Sequence, residues 1–214
     1  MNTRCQLPPS NPFATRFVRP GAISYDFSNS IEVKSASQLI EILRQHRFRG
    51  AIVGPHGSGK STLVETLLKS LADETKLAVQ VHRITLHDGQ RWLPRGWFQV
   101  MRRGGAVGKP AVLVIDGYEQ LAWPVRWWLA LVVRVQGWGV LVTAHAPINW
   151  PTIFTTRTSP DLAKRLARHL VSNSQLAAPS AETIAAAFAH AGGNQREVFF
   201  ELYDWAEQHR QPPG

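Results

Sequence analysis

Eight consecutive residues carry the clearest chemistry in this 214-residue chain. Gly54-Pro55-His56-Gly57-Ser58-Gly59-Lys60-Ser61 matches G-x-x-x-x-G-K-[ST] at every specified position. Glycines at this spacing let the backbone turn tightly and aim successive N–H groups inward, making a nest for phosphate oxygens. A helix starting near Lys60 would add the positive end of its dipole. Lys60 is then expected on the β- and γ-phosphates, and the Ser61 hydroxyl on Mg²⁺. The whole run from Gly54 to Thr62 is the expected binding loop for a nucleoside triphosphate, ATP. Pro55 and His56 occupy variable positions of the pattern and carry no chemistry of their own.

Such a loop needs an acid at the end of a neighbouring strand to hold the water shell of the metal. Asp116, directly after Ala111-Val112-Leu113-Val114-Ile115, stands in that place. Ser61 and Asp116 are therefore the expected metal-side pair. Hydrolysis also needs a carboxylate that orients water, and in many ATPases it is the residue directly after this acid. Here that residue is Gly117, and Glu119 is the nearest substitute. On the first turn of a helix starting at Gly117 or Tyr118, Glu119 either faces the γ-phosphate or serves the helix dipole. Thr143 and His145 follow a second apolar run, Gly139-Val140-Leu141-Val142. Strand ends of a parallel sheet gather around a ligand, so one of these two is a candidate γ-phosphate sensor. Arg196 opens the last helical stretch, where it either reaches back to the triphosphate or pairs with Glu197 or Glu201. Lys60, Asp116, Glu119, Thr143 and Arg196 make up the candidate catalytic set.

These residues need a frame. Gly50-Ala51-Ile52-Val53 reads as a strand entering the loop, and Leu63, Val64, Leu67, Leu68 and Leu71 recur behind it at helical spacing. The two apolar runs ending at Asp116 and Thr143 do not alternate, as expected of parallel strands covered on both faces. Leu77 to Leu86 and Pro151 to Thr158 are further strand candidates. Ser35 is placed to cap a helix through Leu43. Ser159-Pro160-Asp161 and Ser180-Ala181-Glu182 start two later helices; Gly192-Gly193 ends the second, and a third runs from about Asn194 to Gln208. The expected architecture is α/β: an extended N-terminal arm over 1–34, a three-layer P-loop core with a parallel sheet over 35–158, and a small C-terminal helical lid over 159–214.

Taken together, the loop at Gly54 to Thr62, the strand ending in Asp116, the polar strand end at Thr143 and the G-x-x-R of Gly193 to Arg196 resemble the AAA+ group of P-loop ATPases. At Gly193 to Arg196 the chain is similar to members with an initiator-like or STAND-like lid. The resemblance covers about residues 35 to 208. It implies that Thr143 or His145 is the first sensor and Arg196 the second. It also implies that residues 13 to 25, with Arg19-Pro20-Gly21, cross near the adenine. For a trans-acting arginine finger it leaves Arg126, Arg134 and Arg157 as equal candidates. Gly117 departs from the Glu usual in the group, which bears on hydrolysis.

Charge and composition bound the rest. The chain holds 24 Lys plus Arg against 15 Asp plus Glu, a formal charge of +9. The excess is regional: residues 1–50 carry seven basic and three acidic side chains, and 80–110 carry six basic against Asp88 alone. Within the second segment, Arg91-Trp92-Leu93-Pro94-Arg95-Gly96-Trp97-Phe98 and Met101-Arg102-Arg103 mix cations with rings. That mixture suits single-stranded nucleic acid or an acidic partner, or equally a helix packing Trp97, Phe98 and Met101 on the sheet. Trp123, Trp127 and Trp128 read as helix packing after the Asp116 strand, although Trp127 or Trp128 must face away from the other, toward a protein partner or a second copy. No apolar run approaches the roughly 18 residues of a membrane helix, and no secretory signal is visible. Cys5 is the only cysteine. That rules out an internal disulfide and suits the cytoplasm. The function expected is an ATP- and Mg²⁺-dependent ATPase or nucleotide switch acting on a partner. A phosphotransferase using Arg91, Arg95, Arg102 or Arg103 and an ATP-gated scaffold with little turnover are the alternatives.

Overall fold

A computed structural model of the chain describes residues 11–74, 80–86, 89–94, 97, 111–172, 174 and 176–209. Five strands form one parallel sheet: β1 Arg49–Val53, β2 Gln80–Thr85, β3 Ala111–Asp116, β4 Gly139–Ala144 and β5 Thr152–Thr155, in the order β2-β3-β4-β1-β5. Ile52 pairs with Thr143, Ile115 with Val142, and Thr85 with Asp116. The C-terminal ends of β1, β2, β3 and β4 therefore lie along one edge. That edge receives the Gly54 loop, Asp116 and Thr143.

The non-alternating strands are covered on both faces. Val112 and Val114 pack with Leu39, Leu63 and Leu67, which belong to helices α2 Ala36–Gln45 and α3 Lys60–Glu74. Leu113 and Ile115 face the other way, onto Val125, Leu129 and Val133 of α4 Trp123–Val135. Both faces exclude water, so hydrophobic burial selects apolar residues at every strand position rather than at alternate ones. Trp97 is buried on the α4 side, as its packing alternative requires. Leu77 and Val79 at the start of the β2 candidate, and Arg95, Gly96, Phe98, Met101, Arg102, Arg103 and Lys109 of the basic segment, lie outside the described residues, as does Cys5.

Three helices follow the sheet: α5 Pro160–Val171, α6 Ala181–His190 and α7 Gln195–Gln208. Each starts on a side chain that accepts a backbone N–H: Ser159 from Leu162, Ser180 from Thr183, and Asn194 from Arg196. Ala163, Ala167, Ile184, Val198 and Leu202 form their shared core, separate from the two cores of the sheet.

The segment before α2 is not a free tail. It contains a short helix, α1 Thr15–Val18, and a 3₁₀ turn at Phe27–Asn29. Phe13 is fully buried in the core of the three C-terminal helices. Asn11 Nδ2 donates to the Tyr203 carbonyl at 3.0 Å and to Glu207 Oε1 at 2.7 Å. Tyr25 and Phe27 pack edge-on against Phe154 of β5, with ring centroids 5.8 and 5.9 Å away. The arm has no helical periodicity because single residues anchor it to two different bodies. Among the described residues, no helix is long and apolar enough to cross a membrane.

Candidate functional site

β1 ends at Val53, and the chain turns through Gly54 to Gly59 before α3 begins at Lys60. Gly57 has a φ of +66°, a conformation glycine adopts without strain. A Cβ there would lie 1.7 Å from Asn194 Oδ1, the cap of α7, so the loop and the C-terminal helices touch at a point only glycine allows. Ser58 closes the turn from inside, donating to the Pro55 carbonyl at 2.8 Å and sharing a 2.6 Å bond with Thr156 Oγ1.

Lys60 is nearly buried, and its Nζ donates to the carbonyls of Gly54 (2.7 Å) and Pro55 (2.8 Å). Burial pushes its pKa down, against the opposing pull of the Glu119 and Asp116 carboxylates. Gly54 and Pro55 thus serve the lysine through their carbonyls and do not line the cleft. His56, Gly57, Ser58, Gly59, Lys60, Ser61 and Thr62 do line it.

Ser61 Oγ donates to Asp116 Oδ2 at 2.8 Å, so the two residues read as a metal-side pair are in contact. Their hydroxyl and carboxylate oxygens are the hard donors that Mg²⁺ takes. Thr143 is completely buried and donates to Asp116 Oδ1 at 2.5 Å while accepting from the Gly117 N–H at 3.0 Å. It fixes the rotamer of Asp116 from behind. Arg83 on β2, read from the sequence only as surplus charge, pairs with Glu65 and reaches within 3.8 Å of Asp116 Oδ2. Its place became readable only once β2 was set beside β3.

The glycine after Asp116 has a physical reason. Gly117 sits at φ +83°, and a Cβ there would meet the Leu86 carbonyl at 3.3 Å. A glutamate at this position would be strained. The left-handed turn leads into a 3₁₀ turn, Tyr118–Gln120, that swings Glu119 into the cleft. Glu119 Oε1 lies 3.0 Å from His145 Nε2, while its Oε2 is buried with no hydrogen-bond partner. His145 Nδ1 is 3.1 Å from Lys60 Nζ. A neutral His145 carrying its proton on Nε2 satisfies both contacts, donating to Glu119 and accepting from Lys60. Burial, then Lys60, pushes the His145 pKa below 6.5; Glu119 opposes this, His56 adds to it, and the Gly54 carbonyl opposes it. The His56 ring lies on the His145 ring with centroids 3.6 Å apart. Of the two sensor candidates, Thr143 therefore backs Asp116 and His145 links Lys60 to Glu119.

The cleft measures about 680 Å³. Beyond the loop its walls come from the arm (Val18, Arg19, Pro20, Ile23, Tyr25) and from the C-terminal helices (Leu162, Leu166, Phe199). Arg19 and Pro20, which the resemblance puts near an adenine, line this cleft. Tyr25 is raised to about 12, by burial and then by the neighbouring Asp26. Arg196 lines the same cleft from the start of α7 and makes no ion pair among the described residues; Glu201, its sequence rival for a partner, pairs with His190 instead. Arg126 is committed elsewhere, donating to the carbonyls of Leu121 (2.6 Å) and Glu119 (2.5 Å). Arg134 and Arg157 are exposed and away from the cleft.

No protein-family model matches the sequence, and no curated protein matches it. Solved structures do match in shape. Cdc6p from Pyrobaculum aerophilum superposes with a TM-score of 0.54 at 15% identity, over 85% of this chain and 65% of that one. AMPPCP-bound DnaA from Aquifex aeolicus gives 0.51 at 11% identity, over 83% of this chain and 63% of that one. The chain thus spans just under two thirds of the length of each. It has the P-loop AAA+ fold, an α/β three-layer core with a parallel five-stranded sheet.

Proposed function

We propose that the chain binds ATP with Mg²⁺ in this cleft and hydrolyses it, as an AAA+-like ATPase or nucleotide switch that drives a partner. One observation carries the reading: Glu119 lines the same cavity as Lys60, Ser61 and Asp116, and one oxygen of its carboxylate is buried with no hydrogen-bond partner. A carboxylate oxygen left unsatisfied inside a protein costs stability unless a ligand or water completes it.

In this reading the amides of Gly57 to Ser61 and the Lys60 ammonium hold the β- and γ-phosphates. Lys60 exchanges its loop carbonyls for phosphate oxygens, and their negative charge favours its protonated form. Ser61 and Asp116 would hold Mg²⁺, which supplies charge neutralisation on the phosphates. Thr143 keeps Asp116 oriented. The Glu119 carboxylate accepts the proton of the attacking water as the water oxygen bonds to the γ-phosphorus. The bond to the β,γ-bridging oxygen breaks, leaving ADP and phosphate. His145 acts as a positioning residue that holds Glu119 through Oε1. Val18, Pro20, Ile23, Leu162, Leu166 and Phe199 offer the apolar end that a purine requires, and Arg196 brings a positive charge from the lid.

The test is phosphate release by the purified chain with Mg²⁺ and no added acceptor. Lys60→Ala is expected to abolish binding and turnover. For Glu119→Gln we expect retained ATP binding with turnover down about 10²–10⁴-fold. Unchanged affinity and turnover in Lys60→Ala would remove the site assignment. Release only with an added acceptor would make the protein a phosphotransferase, and tight binding without release an ATP-gated scaffold.

A further inference from the structure

Helix α4 buries Val125, Leu129 and Val133 against the sheet, and its opposite side is unusual. Trp123 (77% exposed), Trp127 (68%), Leu131 (47%) and Val135 (77%) recur every four residues and form one outward stripe. Trp92 (68% exposed) extends it, because the Ala122 N–H at the head of α4 donates to the Arg91 carbonyl at 3.0 Å. At about 200 Å² per ring, the three tryptophans alone expose about 400 Å² of surface, the size at which an apolar patch marks an interaction site. The remaining exposed large hydrophobics, such as Phe17, Ile31 and Val81, belong to separate elements.

The charges around the stripe are one-sided. Arg91 stands at one end and Arg134 at the other, both exposed and neither in an ion pair among the described residues. Helix α4 contains no acidic residue. We infer that this outward face of α4 is a docking site for a partner protein that presents an apolar helix face flanked by carboxylates. From Trp123 to Val135 the stripe runs about 18 Å, the length of three to four helical turns. A partner helix would lay its i, i+3, i+4 and i+7 side chains between the rings and set its acids against Arg91 and Arg134.

Charge complementarity selects this occupant. A second copy pairing through α4 would bring arginines to a face with no acid to receive them. Single-stranded nucleic acid would stack on the tryptophans but gains no stacking from Leu131 or Val135, which form half of the helical stripe. An anionic membrane gains about 1 kcal/mol per cation near its surface, and this face offers two.

The experiment pans a displayed library of amphipathic helices against the full chain, with the apolar face fixed and the flanking positions randomised. Selected peptides are expected to carry Asp or Glu at the flanks. Their affinity should fall at least tenfold in Trp127→Glu, and Arg134→Glu should shift the selected flanks toward Lys or Arg. Trp127 is exposed, so the thermal midpoint of Trp127→Glu should match the parent chain and separate lost docking from lost folding. Unbiased flanks, or equal affinity in Trp127→Glu, would overturn the inference. So would Trp127-dependent binding to phosphatidylglycerol vesicles or to a 25-nucleotide oligo-dT, or a Trp127-dependent dimer in sedimentation, in place of peptide binding.

Discussion

The two ends of the cleft are built differently. At the phosphate end the groups around Lys60 and Asp116 are held by strands of one sheet and by the loop they support. Thr143, Thr156, Ser58 and Lys60 are all buried, and their bonds to Asp116, the loop and its carbonyls run 2.5–2.8 Å. At the opposite end the wall is assembled from two remote pieces of chain, the arm and the C-terminal helices. Their links are partly exposed: Arg165 Nε to Asp26 Oδ2 at 2.9 Å, and Asn29 Nδ2 to Ser159 Oγ at 2.9 Å. The phosphate end is preorganised, whereas the far end opens at the cost of a few surface bonds and one buried ring. Occupancy of the cleft would accordingly be registered by the arm and lid before the sheet responds.

The buried ring is the sharpest way to break that contrast. Phe13 is the arm residue sunk in the lid core. Phe13→Ala should destabilise the C-terminal helices by about 3–5 kcal/mol. Hydrogen exchange is expected to quicken across α5, α6 and α7 while β1, β3 and β4 keep their protection. Equal loss in the strands would mean that lid and core form one cooperative unit, and the contrast would fail.

A smaller effect belongs to the phosphate end. His145 has its pKa lowered from 6.5, by burial first and then by Lys60. Below pH 6.5 the unfolded chain takes up a proton at this position before the native chain does. Stability should therefore fall as the pH drops from 6.5 through the lower native value, and be independent of this group above 6.5. Denaturant midpoints from pH 7.5 to 5.0 check this. His145→Gln should flatten the part of the slope that begins near 6.5, and an unaltered slope would dismiss His145 as its source.

How much of this was legible in the sequence follows from how local each feature is. The loop, the helix behind it and the helix starts at Ser35, Ser159 and Ser180 depend on neighbours within a few residues, and they could be read directly. Asp116 and Thr143 could be read because each ends an apolar run that only a doubly covered parallel strand explains. Glu119 stayed open between site and surface because its direction depends on Gly117 adopting φ +83° and on His145, 26 residues later in the chain, receiving it. Arg83 was missed for the same reason, and Tyr25 fell within the arm segment that the resemblance brings near the adenine but was not singled out: no short-range pattern ties β2 to β3 or the arm to α3. The anchoring of the arm was equally silent. A lone Phe13 in a Pro- and Asn-rich stretch carries no periodicity, and the buried residues it clusters with begin only at Ala163.

The smallest expected effect tests the exposed link. Arg165 joins α5 to the arm through Asp26 and also donates to Asn29 Oδ1 at 3.1 Å. Burial would raise the Asp26 pKa, but the Ser28 bonds and then Arg165 outweigh it and leave the carboxyl below its usual 3.8. The arginine side chain is 41% exposed, so solvent screens the pair and its removal in Arg165→Ala should cost only about 0.2–1 kcal/mol. That is too little to unfold the lid, yet enough to shift an open–closed balance by up to about fivefold, since 1.4 kcal/mol is a factor of ten. The variant should therefore keep its thermal midpoint within a few degrees while ATP affinity falls up to fivefold. The affinity loss should shrink only once the pH falls below 3.8, where the lowered Asp26 carboxyl is protonated, because the parent chain then loses the same link. A large drop in thermal midpoint would instead make this surface pair part of the fold itself, and the far end of the cleft as fixed as the phosphate end.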